Sequence, residues 1–349
     1  MPTREELKLY QSLPLEIKIA KTQLRILEWA KEFGQNSIYV SFSGGKDSTV
    51  LLHLVREMFP ETEAVFVDTG LEYPEVREFA KSFENVTVLR PKMNFAKVIQ
   101  TYGYPIISKE VAKVIESVKI ALARNDGSYQ YSVDKLNGTG CYAPKDGRKS
   151  RYDLSRYKPV LNLDFAVSSK CCNIMKKSTI HNYQKQSGKI PMTAQMAQES
   201  EQRTVNWIKN GCNGFHMKSP ISNPLSFWTE QDILKYIKKN NLKIASVYGD
   251  VVPENRQLAF DCFSCDEALC TTGCDRTGCV FCGFGVHLER GESRFQRLKG
   301  THPKLYNYCI YGGVYDSDGL WKPDKNGLGM KHVFDSLNEI YGDNFIRYE

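Results

Sequence analysis

The string Ser43-Gly44-Gly45-Lys46-Asp47-Ser48 joins the residue types needed to hold a phosphate chain. Glycines let the backbone turn tightly enough to aim several N–H groups at one anion, and a helix starting there adds positive potential. Lys46 supplies a full charge, and Ser43 and Ser48 supply hydroxyl donors. Asp47 suits either the loop's own N–H groups or a magnesium ion. A serine-capped glycine turn at any strand-to-helix junction would use similar residues; the full string and its setting favour the phosphate site. The spacing G-x4-G-K-[ST] of the Walker A loop is absent.

Cysteine is the second chemical signal. Eleven occur, six of them within residues 262–282. In a reducing compartment such crowding points to metal before disulfide. Cys279-Val280-Phe281-Cys282 has the two-thiolate spacing of a metal ligand pair, and Cys262-x2-Cys265, Cys270 and Cys274 lie just upstream as a local ligand set. Four thiolates suit a [4Fe–4S] cluster or structural zinc alike, because ligand softness does not separate the two. Cys141, Cys212 and Cys309 are isolated and read as structural.

These groups need a frame to position them. Apolar residues at near-helical spacing over residues 4–33 predict one or two helices split near Pro14, with Gly34 as the stop. Residues 37–42 are short, β-branched and aromatic and predict a buried strand ahead of the glycine turn, with a helix over 48–58 behind it. The pattern repeats with a strand at 64–67, a turn at Asp68-Thr69-Gly70, a helix at 74–83 opened by Pro74, and a strand at 86–89. Such alternation predicts a parallel sheet with right-handed crossovers and ligands at the carboxyl ends of its strands. Residues 125–157 are rich in Gly, Ser, Asn, Asp, Lys and Arg and read as a long insertion or mobile lid. A further strand is expected at 189–193, and a helix at 229–240 with Thr229 as its N-cap and Asp232 three residues on.

The resulting fold class is α/β: a Rossmann-like, twisted parallel sheet with helices on both faces, plus a Cys-rich C-terminal region. The expected division is an N-terminal helical segment at 1–34, a nucleotide-binding domain at 35–254 and the Cys-rich region at 255–349. Composition agrees, with 41% hydrophobic and 25% charged residues, which excludes a disordered chain. The net charge of +7 is dispersed and fits an anionic ligand without demanding nucleic acid. Residues 1–8 are polar, no stretch has membrane-spanning length, and a cytoplasmic protein with no membrane partner is expected. Nothing in the sequence signals an oligomeric state.

The phosphate-loop string resembles the PP-loop of the adenine nucleotide alpha hydrolase superfamily, which includes ATP pyrophosphatases and sulfonucleotide reductases. The run Val67-Asp68-Thr69-Gly70-Leu71-Glu72-Tyr73-Pro74-Glu75 resembles the segment after the second strand in the phosphoadenosine phosphosulfate (PAPS) reductase family. There Asp68 would accept from a ribose or adenine donor, beside Thr69 and Gly70. Lys170-Cys171-Cys172-Asn173-Ile174-Met175-Lys176 resembles that family's Lys-Cys-Cys-x-x-x-Lys element. The resemblance implies that Cys171 and Cys172 join Cys279 and Cys282 as ligands of a [4Fe–4S] cluster, with zinc as the alternative metal and Cys274 as a substitute ligand. Lys170 and Lys176 would offset the cluster's charge and reach a phosphate or sulfate.

Two departures bear on the reaction. Where the family carries Gly-x-Arg ahead of Glu-Ser-x-x-Arg, this chain keeps Glu199, Ser200 and Arg203 but has Ala194 and Met196. One guanidinium is therefore missing from the oxyanion site the resemblance implies. No cysteine follows Cys309, so the terminal thiol used by sulfonucleotide reductases is absent, unless Cys309 or an upstream cysteine takes its place. The core also resembles sulfur-inserting enzymes of DNA phosphorothioation and tRNA thiolation.

Three functions follow. The first is an enzyme binding ATP and Mg2+ that adenylates an acceptor and supports sulfur transfer to it, with nucleic acid as a candidate acceptor and a cysteine desulfurase as a candidate sulfur donor. The second is a reductase of PAPS or adenosine 5'-phosphosulfate (APS), and the third a non-catalytic nucleotide-binding accessory protein. In the first two, Lys46, Asp47, Lys170, Lys176 and Arg203 carry catalysis. Arg276, Arg290, Arg294, Arg297, Lys299, His302 and Lys304, interleaved with Phe281, Phe284, Phe295 and Tyr306, suit a nucleic-acid backbone or a charged, half-buried helix.

Overall fold

The computed structural model describes residues 2–254 and 268–349. The chain opens with α1 (Arg4–Gln11) and α2 (Leu15–Phe33). Thr3 and Glu6 form a capping box on α1, Pro14 stands ahead of α2 where its missing N–H costs nothing, and Gly34 closes α2 at φ 82°. There follow β1 (Ile38–Ser41), α3 (Lys46–Met58), β2 (Glu63–Val67), α4 (Pro74–Lys81) and β3 (Val86–Leu89), the alternation the sequence predicts. The chain continues through α5 (Phe95–Tyr102), β4 (Ile106–Ile107), α6 (Lys109–Arg124), α7 (Gln130–Asn137) and a π-helical turn (Asn173–Lys177). Next come α8 (Ser178–Ser187), β5 (Ile190–Met192), α9 (Glu201–Asn210), β6 (Asn213–Gly214), β7 (Ile221–Ser222) and α10 (Glu230–Lys239). The remainder holds β8 (Val251–Pro253), β9 (Leu269–Thr271), β10 (Gly283–Phe284), α11 (Arg294–Thr301), α12 (Pro303–Ile310), β11 (Val314–Tyr315), β12 (Trp321–Lys322) and α13 (Met330–Tyr341). Among the described residues no helix is long and apolar enough to cross a membrane.

Six strands form one sheet in the order β3-β2-β1-β5-β7-β6. The first five run parallel, and β1 has β2 on one side and β5 on the other, with Val40 opposite both Ala64 and Met192. Strand order reverses at β1, so the loops leaving β1 and β5 open a crevice at their carboxyl ends. The sheet departs from the all-parallel expectation at one edge, where β6 pairs with β7 antiparallel. Only six residues join those two strands, too few for a parallel crossover.

The chain divides into two compact units, each drawn from separated stretches of sequence. The first joins Met1–Asp68, Glu72–Arg90 and Thr179–Thr277; the second joins Thr69–Leu71, Pro91–Ser178 and Gly278–Glu349. This differs from the successive stretches read from composition, because residues 91–178 group with the C-terminal residues rather than with the sheet. The stretch 125–157 carries α7, whose Lys135 pairs with Glu110 on α6.

In the first unit, Ile38, Tyr39 and Val40 of β1 are at most 1% exposed, as expected of a strand covered on both faces. Trp29 on α2, Val50 and Leu54 on α3, and Trp228 and Ile233 beside and on α10 belong to the same buried cluster. Trp228 Nε1 donates to Thr22 Oγ1 at 2.8 Å. Lys18, buried on α2, donates to Asp232 Oδ2 of α10 at 2.6 Å. Removing either partner would strand a buried charge at a cost of about 3–5 kcal/mol.

The second unit buries Tyr104, Phe165, Phe295, Tyr306 and Phe334. Tyr104 donates to Leu328 O at 2.8 Å and Tyr306 to Tyr348 O at 2.9 Å. Of the two alternatives for the basic and aromatic stretch, a nucleic-acid backbone site or a charged, half-buried helix, this packing favours the second. Phe281, Phe295 and Tyr306 are each at most 4% exposed and face protein, not solvent. Arg294 and Arg297 pair with Glu289 and Glu292.

Candidate functional site: a phosphate cleft and a group of cysteines

β1 delivers the chain into the loop Ser43–Gly45, and α3 begins at Lys46 with Gly45 as N-cap and no side-chain cap. An uncapped helix start leaves backbone N–H groups for a ligand. Gly44 has φ +71°, and a Cβ there would stand 2.8 Å from Val76 O, so the position demands glycine twice over. Ser43 and Ser48 join hydroxyls at 3.0 Å, while Ser48 Oγ donates to Gly45 O at 2.9 Å. These bonds fix the turn before any ligand arrives.

Lys46 is 3% exposed. Its Nζ donates to Asp275 O at 2.7 Å and lies 3.0 Å from Glu230 Oε1. Its main-chain N–H donates to Tyr248 Oη at 3.3 Å, and that hydroxyl lies 2.6 Å from Thr277 Oγ1. Asp47 Oδ1 is buried without a hydrogen-bond partner among the described residues, 4.0 Å from Lys46 Nζ. Burial pushes the Asp47 carboxyl above its ordinary value, and Lys46, Arg276 and Arg203 partly offset this. A buried acceptor without a donor suits a cation or a ligand N–H or O–H.

Lys46 and Asp47 line a cleft of about 550 Å3 together with Met196, Glu199, Glu230, Cys270 and Arg276. The loop after β5 supplies Glu199, whose carboxylate accepts from Met196 N at 3.1 Å and pairs with both Arg203 and Arg276, the latter at 3.0 Å. Ser200 caps α9, its Oγ accepting from Arg203 N at 3.3 Å. Among the described lining residues, the acidic Asp47, Glu199, Glu230, Glu254 and Asp275 outnumber the basic Lys46 and Arg276. A bare polyanion would meet net repulsion here; a phosphate chain complexed with a divalent cation would not. The residues present therefore fit a magnesium–nucleotide complex.

Asp68, at the end of β2, is 5% exposed and chelated by Arg77 (2.8 and 3.0 Å) and Lys81 (2.7 Å), both on α4. Against burial, which pushes it up, these bonds hold the Asp68 carboxyl down to about 2. Thr69 Oγ1 accepts from Leu71 N at 3.2 Å, and Gly70 has φ +74°. Leu71 O accepts from Val280 N at 2.8 Å, inside the Cys279-x2-Cys282 segment.

The second unit brings Cys171, Cys172, Cys279 and Cys282 into one neighbourhood. Cys171 Sγ donates to Cys172 Sγ at 4.0 Å, just ahead of the π-helical turn. This bond, then burial, then the charges of Cys282 and Cys279, push the Cys171 thiol up. Cys172 moves the other way, lowered to about 5 by the Cys171 hydrogen bond and, against burial, by Lys109 and Lys176. Lys170 pairs instead with Glu116 at 2.6 Å. The donor set has the chemistry of a thiophilic metal centre. Among the described residues, however, no three Cys, His, Asp or Glu side chains close into a metal-holding group. Cys274, which belongs to the first unit, is buried with its Sγ 2.9 Å from Arg276 O; Cys262 and Cys265 lie outside the described residues.

Sequence reasoning missed Glu230 and Asp275 in the cleft, Tyr248 and Thr277 at the Lys46 main chain, and Lys109 beside Cys172. The first four lie about 180–230 positions from Lys46, and no local motif marks them. Glu230 had a partial signal, since the Thr229 cap fixes it in the first turn of α10. Arg276 stands out in the sequence only as part of a basic stretch.

Comparison with known proteins places these features. The sequence model of the phosphoadenosine phosphosulfate reductase domain matches residues 37–124 and 142–283. Protein MJ0973 of Methanocaldococcus jannaschii is 24% identical over 322 residues, a match covering 87% of this chain and 57% of that protein, so the chain spans little more than half of that relative's length. The adenosine 5'-phosphosulfate reductase of Staphylococcus haemolyticus is 22% identical over 260 residues, covering 74% of this chain and 82% of that one. A PAPS reductase from Candida auris, solved as a phosphate complex, aligns over 70% of this chain and 91% of its own at 14% identity and a TM-score of 0.34, too loose a superposition to bear on the assignment. Because the domain match takes in the phosphate loop, Cys171, Cys172, Cys279 and Cys282, the chain belongs to the phosphoadenosine phosphosulfate reductase family.

Proposed function

We propose that the cleft binds ATP as its magnesium complex, that the chain adenylates an acceptor at the α-phosphate with release of pyrophosphate, and that it supports sulfur transfer to that acceptor, nucleic acid being one candidate. The observation that carries this reading is a buried Lys46 beside Asp47, whose Oδ1 has no hydrogen-bond partner among the described residues, in a cleft where acidic residues outnumber basic ones. Lys46 would exchange Asp275 O and Glu230 for phosphate oxygens and stabilise charge on the departing pyrophosphate. Ser43, Gly44, Gly45 and Ser48 shape the turn, and the open start of α3 offers N–H groups to the phosphates. Arg203 is held by Glu199 at the cleft wall.

Asp47 and Glu230 would hold the magnesium ion, which supplies charge neutralisation on the phosphate chain. Cys171, Cys172, Cys279 and Cys282 would hold a [4Fe–4S] cluster, or zinc, as a site to bind or relay sulfur. Lys109 and Lys176 offset thiolate charge there. A sulfur donor such as a cysteine desulfurase would be the partner.

Reduction of APS or PAPS is a second reading, favoured by the names of relatives and by Cys270, a thiol that lines the cleft. Cys309 is unsuited to act as the attacking thiol of such a reduction, since it is fully buried and burial raises its thiol well above the ordinary value. The deciding experiment follows pyrophosphate release from ATP with magnesium and candidate acceptors, beside sulfite release from APS or PAPS with a thiol donor. Pyrophosphate release that drops at least ~100-fold in Lys46→Ala, on the scale of a lost charge-assisted contact in a buried site, is the expected result. Sulfite release in its place transfers the assignment to the reductase, and nucleotide binding with neither product leaves an accessory protein.

A further inference from the structure

We infer that Arg276 is the residue through which the cleft recognises an anionic group beyond the α-phosphate, selecting nucleotides with two or more anionic groups over monophosphates. This rests on reading the cleft as an adenine-nucleotide site. Among the described lining residues Arg276 is the only guanidinium, and the uncharged Met196 lines the same cleft. Glu199 takes one edge of the guanidinium, NH2 to Oε1 at 3.0 Å, and its other N–H groups have no hydrogen-bond partner among the described residues. The side chain is 61% exposed. It thus presents an open fork with the planar, two-donor geometry that matches a terminal phosphate or sulfate.

Its backbone is fixed relative to the phosphate loop. The preceding carbonyl, Asp275 O, accepts from Lys46 Nζ at 2.7 Å; Arg276 O accepts from Cys274 Sγ at 2.9 Å; and Thr277 Oγ1 meets Tyr248 Oη at 2.6 Å. Arg276 also lies close enough to Asp47 to favour its ionised form. With Lys46 at the helix start, a second cation anchored one residue from the lysine's own contact is placed for the far end of the same ligand. Glu199 acts as the holder: one carboxylate steadies two guanidiniums, Arg203 and Arg276, and an incoming oxyanion supplies the charge that this pair lacks.

Calorimetric titrations with magnesium test this, using ATP, AMP, APS and inorganic pyrophosphate against the intact chain, Arg276→Gln, Arg276→Lys and Lys46→Ala. Arg276→Gln should weaken ATP and pyrophosphate ~10-fold, the scale of one charge-assisted contact, and change AMP less than ~2-fold. Arg276→Lys, which keeps the charge and loses the fork, should recover part of the loss, with melting temperature unchanged in both. An equally large loss for APS would also support the fork, with sulfate as the group held. Equal weakening of ATP and AMP, or no weakening of either, overturns the inference. Arg276-dependent pyrophosphate binding in a protein that ignores every adenine nucleotide would keep the fork and sink the nucleotide reading. Binding of ATP that needs Lys46 and is indifferent to Arg276 would do the reverse.

Discussion

In the phosphate cleft the cations rest on protein oxygens: Lys46 on Asp275 O and Glu230, Arg203 and Arg276 on Glu199. Around Cys171 the balance is different, because Cys171 and Cys172 lean on each other, with Lys109 and Lys176 nearby. In the first region a ligand would exchange its own oxygens for those that already hold Lys46, so affinity there would be a difference between two paired states of that cation. In the second, the thiols repel one another as they ionise, and a thiophilic metal would relieve the strain that protons relieve in its absence. The cations of the cleft are already held by protein oxygens, whereas the cysteines are a donor set in waiting.

The largest effect is expected at the cysteines. Replacing Cys171 and Cys279 together with serine should abolish bound iron and sulfide, or zinc, in anaerobically purified protein, while ATP affinity shifts less than ~2-fold, since neither cysteine lines the cleft. Metal retained at full stoichiometry in that variant would dissolve the contrast.

A smaller effect is expected at Asp68. Its folded-state acidity is depressed, so the stability it contributes is fully present above the ordinary carboxylate value of 3.8 and is lost as pH falls from there towards about 2. Asp68→Asn should cost on the order of 1–2 kcal/mol at neutral pH, discounted for the solvent-screened heads of Arg77 and Lys81, and should flatten the acid limb of a stability–pH curve. A loss of affinity shared by ATP and inorganic pyrophosphate would give Asp68 a structural role; a loss above ~10-fold for ATP alone would restore the ribose contact that the sequence resemblance implies.

The smallest effect belongs to Ser200. Its hydroxyl caps α9, so Ser200→Ala should lower stability by about 1 kcal/mol and leave nucleotide binding intact, as read by denaturant melts and titration. A binding defect without a stability change would move Ser200 from frame to ligand.

The first half of the sheet was legible because its information is local: β1, the glycine turn and α3 are contiguous, and β-branched runs punctuated by glycine and proline leave little choice. The Thr229–Asp232 box was equally readable. Edge strand β6 is two residues long and has no period to detect. Helix α6 is easily lost beside the polar stretch that follows it, although Ser108 caps it in the ordinary way. At the site, residue types named Lys46, Asp47 and Glu199, but their company depends on strand order, which brings the loop after β5 beside the loop after β1. Lys170 was misplaced in emphasis for the same reason: its neighbour in space is Glu116, and Lys109 stands nearer the thiols.

Helix α4 touches the phosphate loop at one place and the end of β2 at another. Val76 and Ala80 crowd Gly44, while Arg77 and Lys81, on the same two turns, grip Asp68. The helix therefore behaves as a splint laid across two strand ends, and whatever loosens one end slackens the other. Acid strong enough to discharge Asp68 should unseat the splint and open the glycine turn together, so ligand grip and structural integrity would fail over the same span of pH.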